Sequence, residues 1–478
     1  MQEFEAVIGL EIHIQLKTQS KAFCADSALY GESPNTLVSA ISLGHPGTLP
    51  MHNISAIEYA TKLGLALHCN ITQLNGYARK NYFYADLPKG YQISQDKTPI
   101  CTGGFVEIPS NNGNKKITIT RIHMEEDSGK SMHDQDLYDS LIDYNRAGVP
   151  LVELVSEPEI RSGEEAYHFV SEIRKLVRYL DICDGNMEEG SMRCDANISI
   201  RPVGSQTFGT KVEVKNMNSM TNVKRAIEFE IKRQTEAVLA GEKIVSETRS
   251  FNAANGSTIS MRSKEEAQDY RYFPEPDLPP FIINQEFLDK VKISLPELPK
   301  ALFEKFTQQL GLSDYDAQVL TEDRDTAAYF TELYAQCKHA KTAANWILGP
   351  IKSWLNEQAK DISLFPLNPT QLSKLIQLVM ENTISHTAAV SVVLPELIAN
   401  PSLEPIEIAT KNNILQNTNS EELENWVLKV LESMPEKVAE YQNGKKGLLG
   451  LFVGEVMKLS KGSADPKKVN EIVRNKLD

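Results

Sequence analysis

Leu10-Glu-Ile-His-Ile-Gln-Leu16 sets the reading of this chain. Apolar and polar residues alternate in it with a period of two, the pattern of a strand with one buried face. Glu11, His13 and Gln15 therefore share one side of the strand, and Leu10, Ile12, Ile14 and Leu16 the other. The alternation returns further on, where Arg193, Asp195, Asn197, Ser199 and Arg201 oppose Cys194, Ala196, Ile198 and Ile200. Lys211, Glu213 and Lys215 repeat it, backed by Val212 and Val214. Leu151-Val-Glu-Leu-Val155 is apolar on both faces except for Glu153.

Two amphipathic helices interrupt these strands. Ser162 and Glu165 read as a capping box, followed by a stripe of Phe169, Val170, Ile173, Val177 and Leu180. A second helix begins near Thr221, with Val223, Ile227, Ile231 and Val238 on one face and Gly241 as its stop. Helices so unevenly spaced among strands give an α+β class with no βαβ rhythm. Pro274-Glu-Pro-Asp-Leu-Pro-Pro280 reads as a rigid linker. Beyond Leu295-Pro-Glu-Leu-Pro299 the pattern is helical to about Leu394, then breaks at Asn400–Pro405 before a last helical stretch. The expected domains are 1–293, 294–400 and 401–478.

The polar faces are the first sign of function. A half-buried antiparallel sheet facing water explains any single strand. Taken together, however, these faces carry Asp, Asn, His and Arg, which strands disfavour. Glu153 lies in a run that reads as buried, where a carboxylate is costly unless it is paired or binds a metal. Carboxylates beside a neutral His suit Mg²⁺, and neighbouring Lys and Arg suit phosphate. His123-Met-Glu-Glu-Asp127 adds adjacent acids at the end of a strand through Ile117 and Ile119, and Lys80 stands beside aromatics in Arg79-Lys-Asn-Tyr-Phe-Tyr84.

Composition narrows the field. At 478 residues the chain needs two or three domains, and a charged fraction of 24% is ordinary for a globular protein. No apolar run reaches the ~18 residues of a membrane helix, and no leader is recognisable, so a cytoplasmic location and no membrane are expected. The six cysteines include no Cys-x-x-Cys pair. A net charge of −14 confines any nucleic-acid contact to a local basic patch. Phosphate-binding P-loops, dinucleotide fingerprints, kinase signatures and nucleophile elbows are all missing. Phosphoryl transfer here would need an unusual nucleotide site.

In their order, several motifs resemble the B subunits of the tRNA-dependent amidotransferases. They include Ile8-Gly-Leu-Glu-Ile-His-Ile14, Arg79–Tyr84, His123–Asp127, Asn145-Arg-Ala-Gly-Val-Pro-Leu-Val-Glu153, Arg193-Cys-Asp-Ala-Asn197, Lys215-Asn-Met-Asn-Ser219 and Asp269-Tyr-Arg-Tyr-Phe-Pro-Glu-Pro-Asp277. The resemblance implies a cradle-shaped, mainly antiparallel-sheet domain, an all-helical domain and a small helical tail domain. It implies ATP-dependent phosphorylation of the side-chain carboxylate of Glu or Asp mischarged on tRNA(Gln) or tRNA(Asn), then displacement of phosphate by ammonia. The implied partners are an amidase, the family's A subunit, which supplies ammonia, and a small C subunit. One Mg²⁺ is expected on His13, Glu126 and Glu153, with Glu11, Glu125, Asp195 and Glu213 as a second, weaker set. Lys80 is expected to steady phosphate, and Asn216 or Asn218 to orient substrate. Lys80, Glu125, Glu126, Asn216 and Asn218 are thus the catalytic candidates.

Two departures from the family pattern bear on the expectations. Many members carry a four-cysteine zinc site near the N-terminus; here Ser39-Ala-Ile-Ser-Leu-Gly44 stands at the second motif and Cys24 alone remains of the first, so no zinc is expected. The short Asn400–Pro405 break lacks the archaeal insertion. From Tyr441 to Asp478 eight basic residues face four acidic ones. On the resemblance, Lys458, Lys461, Lys467 and Lys468 are the expected tRNA contacts, while a solubilising helical surface explains them equally without it. A metal-dependent hydrolase and a tRNA-binding scaffold are the rival readings. The first would turn over a phosphoester without ATP or tRNA, and the second would be indifferent to neutralising the acids.

Overall fold

The computed structural model describes residues 3–110, 113–132, 136, 138–263, 270–416, 420–460 and 464–477. The chain forms two compact units, Met1–Pro299 and Lys300–Asp478.

In the first unit the alternating stretches become one sheet. Its main path comprises β1 (Phe4–Gln15), β2 (Ala78–Asn81), β3 (Tyr91–Ser94), β4 (Gly113–Glu126), β5 (Pro150–Ser156), β6 (Met192–Pro202), β7 (Val212–Lys215), β8 (Glu247–Asn252), β9 (Ser257–Ser263) and β10 (Arg271–Pro274). The spatial order is β9-β8-β7-β6-β1-β5-β4-β3-β2-β10. Along this path only β7 and β8 pair parallel. The α+β class is therefore as read, with a mixed but mostly antiparallel sheet.

Alternation sorts the two faces. Ile8, Leu10, Ile12 and Ile14 are wholly buried and share a core with Phe169, Ile173, Val223 and Ile227. Those partners come from α2 (Gly163–Tyr179) and α3 (Met220–Leu239), which pack with α1 (Ile54–Ala66) in the same core. The opposite face keeps Glu11, His13 and Gln15 only half-buried.

Both helix starts follow from capping. The Ser162 hydroxyl accepts from Glu165 N–H at 3.1 Å, and that of Ser219 from Asn222 N–H at 3.1 Å. The expected capping box at Ser162 is half formed, because the Glu165 carboxylate reaches one residue further back and accepts from Arg161 N–H at 2.9 Å. Gly241 closes α3 with φ +80°, the left-handed conformation a glycine adopts at no steric cost. Ile231 and Val238 are only half-buried on α3; Glu230 and Gln234 take the deep positions instead. Arg233 and Arg249 pair with Glu230, which makes its burial tolerable.

The expected linker at Pro274–Pro280 is tied down. Arg79 donates to both oxygens of Glu275, at 2.8 and 2.9 Å, and to Asp277 at 2.9 Å. β10 just before it forms the sheet edge against β2.

The second unit is helical. One helix, Pro369–Met380, opens on an Asn368/Gln371 capping box with proline at its first turn. Residues 420–477 hold a core of their own, including Leu423, Val427, Tyr441, Phe452, Val456, Val469 and Val473. In the last stretch Phe452 and Val456 are buried, whereas Leu451 and Leu459 are exposed. No helix of the described residues is long and apolar enough to cross a membrane.

Candidate functional site

Register brings the polar residues together. His123 on β4 stands opposite Glu153 on β5, Glu153 opposite His13 on β1, and His13 opposite Arg193 on β6. One row of imidazole, carboxylate, imidazole and guanidinium thus crosses four strands. The His13 Nε2 lies 3.3 Å from Glu153 Oε2 and 3.8 Å from Glu125 Oε1. The His123 Nε2 lies 3.6 Å from both Glu125 Oε2 and Glu153 Oε2. His13, Glu125 and Glu153 each offer a ligand atom within 4.8 Å of the others.

Glu126 does not join them. Carrying the Ile117/Ile119 phase forward would put it on the polar face, but the β4–β5 register shifts opposite Val155/Ser156. Beyond that irregularity Ile122 and Met124 face the core, and Glu126 pairs with Lys89 and accepts from Ile93 N–H at 2.9 Å. It lines a separate small cavity of about 70 Å³ beside Phe23, Cys24 and Gly148. Of the two adjacent glutamates, Glu125 rather than the expected Glu126 reaches His13 and Glu153.

Two members of the second expected set, Asp195 and Glu213, are arranged around a cation. The Lys215 Nζ donates to Asp195 at 2.7 Å and lies 3.1 Å from Glu213. Burial would lower the Lys215 ammonium, but Asp195 and Glu213 outweigh it and raise it. Glu213 also accepts from Thr248 Oγ1 at 2.8 Å. Glu11 accepts from Asn197 Nδ2 at 2.8 Å, and burial together with the Glu153 charge raises its carboxyl pKa.

The ion pair at the centre resists burial. Desolvation would raise Glu153, yet the His13 hydrogen bond and the His123, His13 and Lys80 charges hold its carboxyl below the ordinary range. His13 moves the opposite way: burial would lower it, but Glu153 and Glu125 raise it. Asp127, two residues from Glu125, accepts from Gln15 at 2.6 Å and from Arg193 at 3.1 Å. This fixes the Arg193 end of the row.

A cavity of about 340 Å³ opens over the row, reached by Glu11, His13, Lys80, His123, Glu153 and Glu213. Lys80 stands against the rings of Tyr270 and Tyr82, at 4.8 and 5.6 Å. Asn216 and Asn218 are exposed and outside the cavity lining; Asn216 has φ +65° and donates to Ser250 Oγ at 2.9 Å. In the second unit Lys458 pairs with Glu455, Lys467 is exposed and Lys468 half-buried. Lys461 lies outside the described residues.

His123 carries no assigned role in the sequence motif His123–Asp127. Its position two residues before Glu125 was the available signal, since that spacing puts both on one face. Arg121 and Asp96, which also line the cavity, carried no signal in the sequence.

The residues fit a divalent cation by their donor chemistry. Two imidazoles and two carboxylates converge, Glu11 is short of positive charge, and the buried His123 Nδ1 has no hydrogen-bond partner in the structure. Together these features define a class: an α+β protein with a cavity lined by carboxylates, imidazoles and lysines on the polar face of its sheet. The family model "GatB/GatE catalytic domain" matches residues 6–289 and the "GatB domain" matches residues 328–477. A Thermodesulfovibrio yellowstonii protein, named as the B subunit of aspartyl/glutamyl-tRNA(Asn/Gln) amidotransferase, is 47% identical over 98% of both chains. Proteins of the same name from Trichodesmium erythraeum (100% of this chain, 98% of the relative) and Geobacter sulfurreducens (99% of each) are 48% identical. The chain belongs to this family of amidotransferase B subunits.

Proposed function

We propose that the chain is the B subunit of a glutamine-dependent aspartyl/glutamyl-tRNA amidotransferase. In this reading ATP phosphorylates the side-chain carboxylate of Glu-tRNA(Gln), Asp-tRNA(Asn) or both. Ammonia from the amidase partner, the A subunit, then displaces the phosphate, with a small C subunit in the same complex. A carboxylate is a poor electrophile, and phosphorylation gives it a leaving group. What remains for the protein is positioning and neutralising charge.

The observation that carries the reading is the row His123–Glu153–His13–Arg193, with Glu125 beside it and Lys80 over the cavity. His13, Glu125 and Glu153 would hold Mg²⁺. The ion would supply charge neutralisation at the phosphates. Lys80 adds a fixed positive charge where phosphate oxygens lie, and its contacts with Tyr82 and Tyr270 limit its wandering. Lys215 holds Asp195 and Glu213 in place as the far wall. Asn216 and Asn218 are assigned to substrate orientation on the family resemblance.

The division into a cradle (1–293), a helical domain (294–400) and a tRNA-binding tail (401–478) belongs to the same proposal. The separate core of residues 420–477 supports the tail. The test is glutamine-dependent transamidation of each mischarged tRNA by the complex reconstituted with its amidase and small partners. Formation of neither Gln-tRNA(Gln) nor Asn-tRNA(Asn), with ATP and Mg²⁺ present, would sink it.

A further inference from the structure

A second row of side chains runs beside the first on the same face of the sheet. Arg121 on β4 stands opposite Val155 on β5, Val155 opposite Glu11 on β1, and Glu11 opposite Asp195 on β6. Each lies two residues along its strand from a member of the row His123–Glu153–His13–Arg193. Strand alternation therefore keeps both rows on one face, ~7 Å apart. Arg121 and Glu11 line the same cavity of about 340 Å³ as His13, His123 and Glu153.

The charges of this row are unevenly matched. Asp195 is held by Lys215. Arg121 is exposed and forms no ion pair among the described residues. Glu11 accepts from the Asn197 amide and likewise has no cationic partner among the described residues. Val155, between the two, is half-buried. Every other side chain in the two rows is charged or an imidazole, so Val155 is an apolar step between a free guanidinium and a free carboxylate. Arg121 and Glu11 are two strand spacings apart, ~10 Å between backbones. Cation, apolar step and anion in that order are the complement of an acidic amino acid, which presents a carboxylate, methylenes and an α-ammonium.

Resting on the function proposed above, we propose that this row is the subsite for the aminoacyl group of the mischarged tRNA, with Arg121 as its specificity-determining residue. The Arg121 guanidinium donates to one oxygen of the side-chain carboxylate, a pairing for which its planar fork is suited. The methylenes lie on Val155, and Glu11 accepts from the α-ammonium. The other carboxylate oxygen faces the neighbouring row, where the phosphate site is proposed. That oxygen attacks the terminal phosphorus of ATP; an O–P bond forms, the bond from phosphorus to the bridging oxygen breaks, and ADP leaves. Amidation later replaces the carboxylate by a neutral amide, which Arg121 holds less tightly, so the same residue favours binding of substrate and release of product.

The test is filter binding to the reconstituted complex without ATP or glutamine, at one fixed salt concentration. The ligands are Glu-tRNA(Gln) or Asp-tRNA(Asn), whichever the complex amidates, together with its amide product and its N-acetyl form. Wild type binds the substrate about tenfold more tightly than either of the others, because each lacks one charge-assisted hydrogen bond. Arg121→Gln removes the preference over the amide product and keeps that over the N-acetyl form; Glu11→Gln does the reverse. Arg121→Lys, which keeps the charge without the fork, restores part of the first preference. An unchanged preference in Arg121→Gln overturns the inference. So does an equal loss of affinity for all three tRNAs, which assigns Arg121 to a tRNA phosphate. Failure of the wild-type complex to amidate either mischarged tRNA with ATP, Mg²⁺ and glutamine overturns the underlying function instead.

Discussion

Glu125 and Glu126 differ by one bond vector and stand on opposite faces of the sheet, so they separate two readings of the acid motif. Glu125→Gln should lower Mg²⁺ affinity on the order of 100-fold, while Glu126→Gln should leave it within about threefold. Titration of Mn²⁺ as a paramagnetic stand-in reads both; equal losses would show that Glu126 moves to the metal. His13→Ala and Glu125→Gln should also abolish aminoacyl-tRNA phosphorylation while glutamine hydrolysis by the complex persists. Asp127 tests the support of the row. Burial would raise its carboxyl, but Arg193, Arg146 and Gln15 hold it below the ordinary value. Its stabilisation is therefore complete above the usual Asp range near pH ~4 and is lost as pH falls through the lowered folded value. Asp127→Ala should cost about 3 kcal/mol at pH 7, and the gap to wild type should shrink in acid. Urea unfolding at neutral and acidic pH checks the sign. Asp26 bears on the expectation of no zinc: it accepts from Ser39 N–H at 2.9 Å and from the Ser42 hydroxyl at 2.6 Å. Serines from the second motif position are thus tied to Asp26 directly, and burial pushes the Cys24 thiol up to about 11. Elemental analysis of chelator-washed protein should find far less than one zinc per chain; a stoichiometric amount would contradict this.

At the level of elements, α2 shows how patterning turns into stability. Phe169, Val170, Ile173 and Val177 are each completely buried in the sheet–helix core. Ile173→Ala should cost about 3 kcal/mol, and Ser162→Ala about 1 kcal/mol through the lost N-cap, both by denaturant midpoint. A Ser162→Ala effect equal to that of Ile173→Ala would mean the cap organises more than one helix end. The strands show the limit of the same patterning. Period two told which residues share a face within each strand. The β4 irregularity opposite Val155/Ser156 inverted that phase, and a bulge of one residue leaves no mark in the pattern of Ile117 and Ile119.

For the whole molecule, the separate core of residues 420–477 bears on the tail. If its lysines contact tRNA phosphates, ending the chain near Pro405 leaves a folded protein whose complex still hydrolyses glutamine. The KM for mischarged tRNA should rise about tenfold at physiological salt, and the deficit should shrink as salt rises. An unchanged KM would reduce the tail to a surface.

The sequence by itself determined the faces. Leu10–Leu16 and Arg193–Arg201 announced a sheet with one apolar and one polar side, and Phe169–Val177 announced the helix that covers the apolar one. These are local regularities, and the chain's own geometry enforces them within a few residues. Tertiary structure decided the partners. That His13 meets Glu153 and Glu125, that Lys215 spans Asp195 and Glu213, and that Tyr272 stands opposite Lys80 depend on register between strands up to about 190 positions apart in the chain. Register is set by the turns, bulges and packing of the assembled sheet, where a slip of one residue sends every side chain to the other face.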